Sequence, residues 1–418
     1  MPSIELKYGR DTIAFEYEPE RFTVLGGAHS DVSLSDIEIG AKLDNPIDTE
    51  PIEEIVSPGE SILIVVPDAT RQTACGQIVN LVVRRLIANG TAPHDIRIIF
   101  ATGIHRKVTD AEASAILTPF IAQRIKTLDH EPRNLLGLLQ FGETSTGIPI
   151  ELNRALSEHD HVIMIGGVTF HYFAGFTGGR KLICPGLASA RTIAETHKLA
   201  FDCAARSRRE GVDTGLLDGN AVNEAFEEIV DHISPAFAIN TIVDPSGSVV
   251  EVFCGHWKSA HRTACKRYAA DNTVQLAEKR DVVIVTCGGS PHDVNMIQAH
   301  KALEAASQAC NDGGTIVLVA ECGEGLGRVD FLDWFEAADS SELAGRLCQK
   351  YKVNGQTAWS LLRKAERFEI KVKSEINEEH LRKMRLSPIS AKGISEIFKT
   401  SAATGYVFLD GARCRVHV

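Results

Sequence analysis

The chain has 418 residues, 44% hydrophobic and 24% charged, and its 44 basic side chains are outnumbered by 55 acidic ones, for a formal net charge of −11. At roughly 100–200 residues per domain such a chain buries a large core and divides into two or three domains. An isoelectric point near 5.8 and the lack of a long basic run exclude nucleic acid as the main partner, because neutralising phosphates takes clustered Lys and Arg. No apolar stretch approaches the ~18–20 residues that cross a bilayer, and Met1-Pro-Ser-Ile-Glu-Leu-Lys-Tyr8 lacks the charged-then-apolar signal pattern. The ten cysteines include no C-x-x-C pair and read as scattered reduced thiols. A small-molecule protein of the cytoplasm, without a membrane partner, is the expectation.

In chain order, the N-terminal forty residues show alternation and turn signals that point to antiparallel pairing. Short β-branched runs then recur at Ser61–Val66, Asp95–Phe100 and His161–Ile165, with a helix expected over Gln77–Asn89. Ala236–Cys254, with its Pro245-Ser-Gly turn, again reads as antiparallel. A polar helical run from Trp257 to Arg280 follows, and a second series of strands begins at Asp281–Thr286 and continues through Thr315–Ala320 and Gly405–Leu409. Continuous apolar strands alternating with helices such as His300–Asn311 are buried on both faces, as in parallel sheets. The fold class is α/β in two domains, each with a mainly parallel sheet flanked by helices. The expected boundary gives residues 1–275, carrying cofactor and catalysis, and a smaller domain 276–418. In such folds ligands gather beyond the carboxyl ends of strands or in the interdomain cleft, where the active site is expected.

Four strand ends carry chemistry: Pro67-Asp-Ala-Thr-Arg71, Ala101-Thr-Gly-Ile-His-Arg106, Gly166-Gly-Val-Thr-Phe-His171 and Cys287-Gly-Gly-Ser-Pro-His292. The densest segment runs from Thr169 to His197. Within it Gly178-Gly179 frees backbone N–H groups for an anion, with Arg180 and Lys181 adding charge. It is neither a Walker loop, since Lys181 is followed by Leu182, nor a dinucleotide fingerprint, and Gly323-Glu-Gly-Leu-Gly327 has the wrong spacing for one. Most histidines in proteins are structural or superficial, and His159, His232, His256, His261, His380 and His417 read that way. By the same measure Lys181 on its turn and His197 on an expected helix 188–200 are ordinary surface residues. His105 and His171 differ, because each follows a buried strand and a glycine-bearing turn, where an imidazole serves as acid or base.

These motifs, together with Gly288-Gly-Ser-Pro-His-Asp-Val-Asn-Met-Ile-Gln298-Ala-His-Lys301, resemble the LarA-type lactate racemases, and the resemblance extends over nearly the whole chain. It implies a racemase or epimerase of a 2-hydroxy acid that uses a nickel-pincer nucleotide, made by separate cofactor-biosynthesis enzymes. By this resemblance His105 and His171 are the acid/base pair, Lys181 tethers the cofactor covalently, and His197 ligates nickel. Arg71, Lys301 and Gln298 hold the substrate. Asp68 and the glycine pairs Gly178-Gly179 and Gly288-Gly289 are expected near the cofactor. Imidazole suits Ni(II), and two histidines on opposite sides of a 2-keto acid meet the need for a base on each face. One departure stands out: Ile297 occupies the position where a tyrosine is associated with lactate, so a larger 2-hydroxy acid enters beside lactate, with Ser290 and His292 near its tail. The alternatives are an NAD(P)-dependent 2-hydroxy-acid dehydrogenase and a cofactor-binding protein without turnover.

Overall fold

The computed structural model describes residues 2–26, 33–400 and 404–418. The chain forms two compact units: Met1–Ala28, Phe201–Arg209 and Ala269–Val418 make one, and His29–Ala200 with Glu210–Tyr268 make the other.

The unit containing residues 29–200 is built on a six-stranded sheet. Its spatial order is Val249–Gly255, Phe237–Val243, His161–Gly167, Ile62–Pro67, Ile96–Ala101 and Lys126–Leu128. All neighbours are parallel except the first pair, which forms the antiparallel arrangement expected of 236–254. Numbered by sequence, the order is 6-5-4-1-2-3, a doubly wound sheet that reverses direction between strands 62–67 and 161–167. Strand 62–67 is buried at every position, which explains its uninterrupted Ile, Leu and Val. On one face Ile62, Ile64 and Val66 share a core with Ile78, Val79, Val82, Val83 and Leu86 of helix Cys75–Ala88. Those helix positions recur at the i, i+4, i+8 spacing of one stripe, and each side chain withdrawn from water contributes roughly 1.5–3 kcal/mol.

The other unit has a six-stranded, wholly parallel sheet in the order Ser387–Pro388, Glu369–Lys373, Cys310–Val319, Arg280–Thr286, Gly405–Phe408 and Phe22–Leu25. Alternate residues of its central strands enter two cores: Val283, Val285, Ile316 and Leu318 on one face, and Val282, Ile284, Val317 and Val319 on the other. The second core is completed by Leu6 and Phe15 of the N-terminal hairpin, by Phe22, and by Phe398. The division therefore differs from a single cut near 275. The first residues of the chain belong with the last ones, because strand 22–25 pairs with 405–408 and the hairpin covers the sheet. Residues 201–209 also join this unit, through Phe201 edge-on to Trp359 at 4.9 Å and Arg208 paired with Glu304 at 3.1 Å.

The polar run after Trp257 is helical only to Asn272. Residues Thr273–Gln275 then form a strand beside Arg415–His417. Among the described residues no helix is long and apolar enough to cross a membrane. The expectation of uniformly reduced cysteines is corrected: Cys203 and Cys348 form a disulfide, and the other eight remain thiols, seven of them buried. Sequence spacing hid this pair because its members are 145 residues apart. Peptide mapping of protein alkylated under denaturing, non-reducing conditions is expected to recover a Cys203–Cys348 cross-linked peptide, with the other cysteines alkylated.

Candidate active site

In open α/β sheets the crevice for ligands lies beyond the carboxyl ends of the strands at the point where the order reverses. Strand 62–67 delivers Asp68 and Arg71 there, strand 161–167 leads to His171, and the neighbouring strand 96–101 leads to His105.

Asp68 is 5% exposed, and its Oδ2 lies 2.6 Å from His105 Nδ1. Its Oδ1 accepts from the Thr70 hydroxyl at 2.6 Å and the Thr70 backbone N–H at 3.0 Å. Burial opposes ionisation of this carboxyl. The His105 hydrogen bond, the charges of His105 and Arg71, and the Thr70 hydroxyl together outweigh it and hold Asp68 well below the usual carboxylate range. The carboxylate therefore fixes the proton of His105 on Nδ1 and leaves Nε2 for chemistry. With both oxygens engaged, Asp68 orients His105.

His171, Lys181 and His197 gather around one aromatic ring. Phe173 meets His171 edge-on at 4.4 Å and His197 edge-on at 5.1 Å, and Lys181 Nζ lies 5.5 Å from its centroid. Phe226, on helix Ala221–Asp231, closes the other side, 5.7 Å from both Lys181 Nζ and the His197 ring. His171 is 8% exposed, stacks on Tyr172, and accepts at Nδ1 from the Ala174 backbone N–H at 3.3 Å, so its neutral ring carries the proton on Nε2. His197 sits on helix Ala190–Lys198, capped by Ser189, and is buried rather than superficial. Burial, with the adjacent Lys181 charge, pushes its pKa down to about 3, so the imidazole stays neutral. Neutral imidazole is the form that donates to a metal. Among the described residues no three His, Cys, Asp or Glu form a metal cluster.

Two site features differ from expectation. Arg180 is fully buried and points inward: Nη2 donates to Ala174 O at 2.7 Å, and Nη1 lies 3.1 Å from His261 Nε2. It braces the loop that holds His171 instead of offering charge to a ligand. The glycines are explained by the protein's own packing. A Cβ on Gly179 would stand 2.5 Å from the His261 ring, and one on Gly288 would stand 2.8 Å from the Asp410 carboxyl. The phosphate-cradle expectation for Gly178-Gly179 and Gly288-Gly289 gains no support from these contacts. In the other unit, Lys301 Nζ donates to Gln298 Oε1 at 2.5 Å, so these two substrate candidates form one polar pair. Ile297 packs against the core beside them. Phe173 and Phe226 were missed; Phe173 lies in the aromatic run 170–176, but nothing local to Phe226 marks it.

His197, His261 and His300 are all buried and pushed down to about 3, burial being the main cause in each. A histidine whose folded pKa lies below its unfolded value near ~6.5 contributes stability that is complete above ~6.5 and is lost as pH falls toward the folded value. Asp68 adds a loss only below its unfolded pKa of about 3.9. Thermal unfolding is therefore expected to be level at neutral pH and to fall from about pH 6.5 downward, each such group costing about 1.4 kcal/mol per pH unit. A His300→Gln variant is expected to show a shallower fall.

Residues 8–208 match the lactate racemase N-terminal domain and residues 275–403 match the lactate racemase C-terminal domain. A lactate racemase of Thermoanaerobacterium thermosaccharolyticum is 30% identical over 356 residues, 84% of this chain and 82% of the relative. A lactate racemase of Lactiplantibacillus plantarum is 31% identical over 336 residues, 79% of this chain and 77% of the relative. Among solved structures, a lactate racemase apoprotein from Thermoanaerobacterium thermosaccharolyticum superposes with a TM-score of 0.89 at 27% identity, each chain covered in full. A Thermotoga maritima protein matches with a TM-score of 0.72 at 17% identity over 93% of this chain and 99% of that one, a likeness of fold alone. With both domains matched and 30% identity held across most of its length, this chain belongs to the lactate racemase family and, with it, to the isomerases.

Proposed function

We propose that this protein racemises or epimerises a 2-hydroxy acid, lactate or a related larger one, through a 2-keto acid, with a covalently tethered nickel-pincer nucleotide. The observation that carries this reading is the gathering of His171, Lys181 and His197 on Phe173, with the Asp68–His105 pair after neighbouring strands of the same sheet. The residues fit such a group. His197 is held neutral by burial and by the neighbouring lysine, and one imidazole suffices when the metal arrives already held within a cofactor. Lys181, beside it, supplies an amine for the tether. Held by Lys181 and His197, such a cofactor would supply a reversible acceptor for the C2 hydride.

The chain's own residues do the rest. His105, its Nδ1 proton held by Asp68, accepts the substrate hydroxyl proton at Nε2. His171 Nε2 exchanges a proton with the same oxygen when the planar keto acid presents its other face. Arg71 is the better carboxylate clamp, since its planar fork matches two oxygens. The resemblance assigns substrate contacts to Lys301 and Gln298 as well, a polar pair within the other unit, and Ile297 beside them replaces a hydroxyl-bearing side chain with an apolar one. The buried rings of Phe173 and Phe226 keep water from the hydride path. We place the protein in the cytoplasm, and cofactor-making enzymes are its expected partners.

Intact-mass measurement on protein co-produced with those enzymes is expected to show an adduct that Lys181→Ala abolishes; an adduct retained in that variant rejects the tether. Chiral chromatography over a panel of 2-hydroxy acids identifies the substrate. His105→Ala and His171→Ala are each expected to lower racemisation by at least ~10²-fold, the range of a lost general base. Near-normal turnover of a double variant rejects the two-base scheme.

A further inference from the structure

A second concentration of charge lies on helices Ala302–Ala309 and Val353–Arg367, in the unit built around residues 269–418. Helix Val353–Arg367 presents Ser360, Arg363, Lys364 and Arg367 at i, i+3, i+4 and i+7, the spacing of a single helical face. Together with Glu304 of helix Ala302–Ala309 and Arg208, they line an open recess of about 210 Å³. At its base the Glu304 carboxylate accepts from Lys364 Nζ at 2.6 Å, from the Ser360 hydroxyl at 3.2 Å, and from Arg208 Nη2 at 3.1 Å. The side chains of Lys364 and Glu304 are only 9% and 13% exposed.

The charges do not balance within the recess. Four cations line it against one carboxylate, and the further acid nearby, Asp312, is exposed and pairs with Arg367 at 2.6 Å. Arg363 lies over the Trp359 ring at 5.3 Å with its guanidinium exposed. Concentrating like charges beside a buried ion pair is unfavourable unless a counter-charge is supplied. It is the more notable in a chain of net charge −11. Three guanidinium groups, from Arg208 on one wall and Arg363 and Arg367 on another, offer forked donors suited to several oxygens of one tetrahedral oxyanion.

We propose that this recess binds the phosphate group of a small phosphorylated molecule, with Arg363 and Arg367 as the accessible contacts and the Lys364–Glu304–Arg208 network as its rigid floor. The site does not depend on the racemase reading. Calorimetric titration of inorganic phosphate into the full-length protein at low ionic strength is the test, with chloride as control. Saturable binding is expected, together with a rise in Tm. The R363A/R367A double variant is expected to lose one phosphate per chain while keeping its Tm without phosphate, since both side chains are exposed, and Arg71→Ala is expected to leave that binding event unchanged. Absence of saturable binding, or equal stoichiometry in R363A/R367A and the parent, overturns the proposal. So does a binding event lost only in Arg71→Ala, which would assign the phosphate to the strand-end site.

Discussion

The site hangs on a buried cation. Arg180 is fully enclosed, with its charge answered by a carbonyl and an imidazole rather than a carboxylate. Removing a guanidinium from water is expensive, and burial draws its pKa down to about 10. What it secures is the turn between His171 and Lys181. Arg180 holds Ala174 O, and the same peptide unit's neighbour, the Ala174 N–H, donates to His171. Because Phe173 lies in that turn and touches His171, Lys181 and His197, the conformation of one short segment sets the positions of three functional groups. A surface lysine at position 180 would leave the turn unbraced, with a flexible ammonium in place of a planar fork.

The two histidines proposed for proton transfer are held in different ways. His105 is 38% exposed and leans on a buried carboxylate; His171 is almost fully buried and leans on backbone N–H groups and aromatic rings. Nδ1 is engaged in both, as a donor in His105 and as an acceptor in His171. The same unit keeps His197 neutral by desolvation. Burial, hydrogen bonding and neighbouring charge thus give three imidazoles of one unit three different settings.

Much of the fold was legible because buried parallel strands leave an unmistakable apolar run. All six expected strands of the two sheets are present within a residue or two, apart from the strand expected at 315, which begins at Cys310. Helix ends were less legible: the helix expected to reach Arg280 stops at Asn272, because the next three residues find a partner strand at the far end of the chain. Strand Phe22–Leu25 was invisible as a member of the C-terminal sheet for the same reason, since pairing with Gly405–Phe408 across some 380 residues leaves no local trace.

Sequence by itself determined the residue types and their order: an acid, an arginine and two histidines at strand ends, a lysine on a glycine turn, and a histidine on the following helix. It determined these because strand-to-loop transitions are marked by local composition. Only the tertiary structure decided which way each side chain points. Arg180 and Lys181 are neighbours in sequence, yet one is buried beneath the loop against His261 while the other lies over Phe173 and Phe226. Gly179 and Gly288 are glycines because His261 and Asp410 approach them from distant segments. Burial, ring contacts and proton placement are properties of what surrounds a residue, and those surroundings are assembled from parts of the chain that carry no mark of one another.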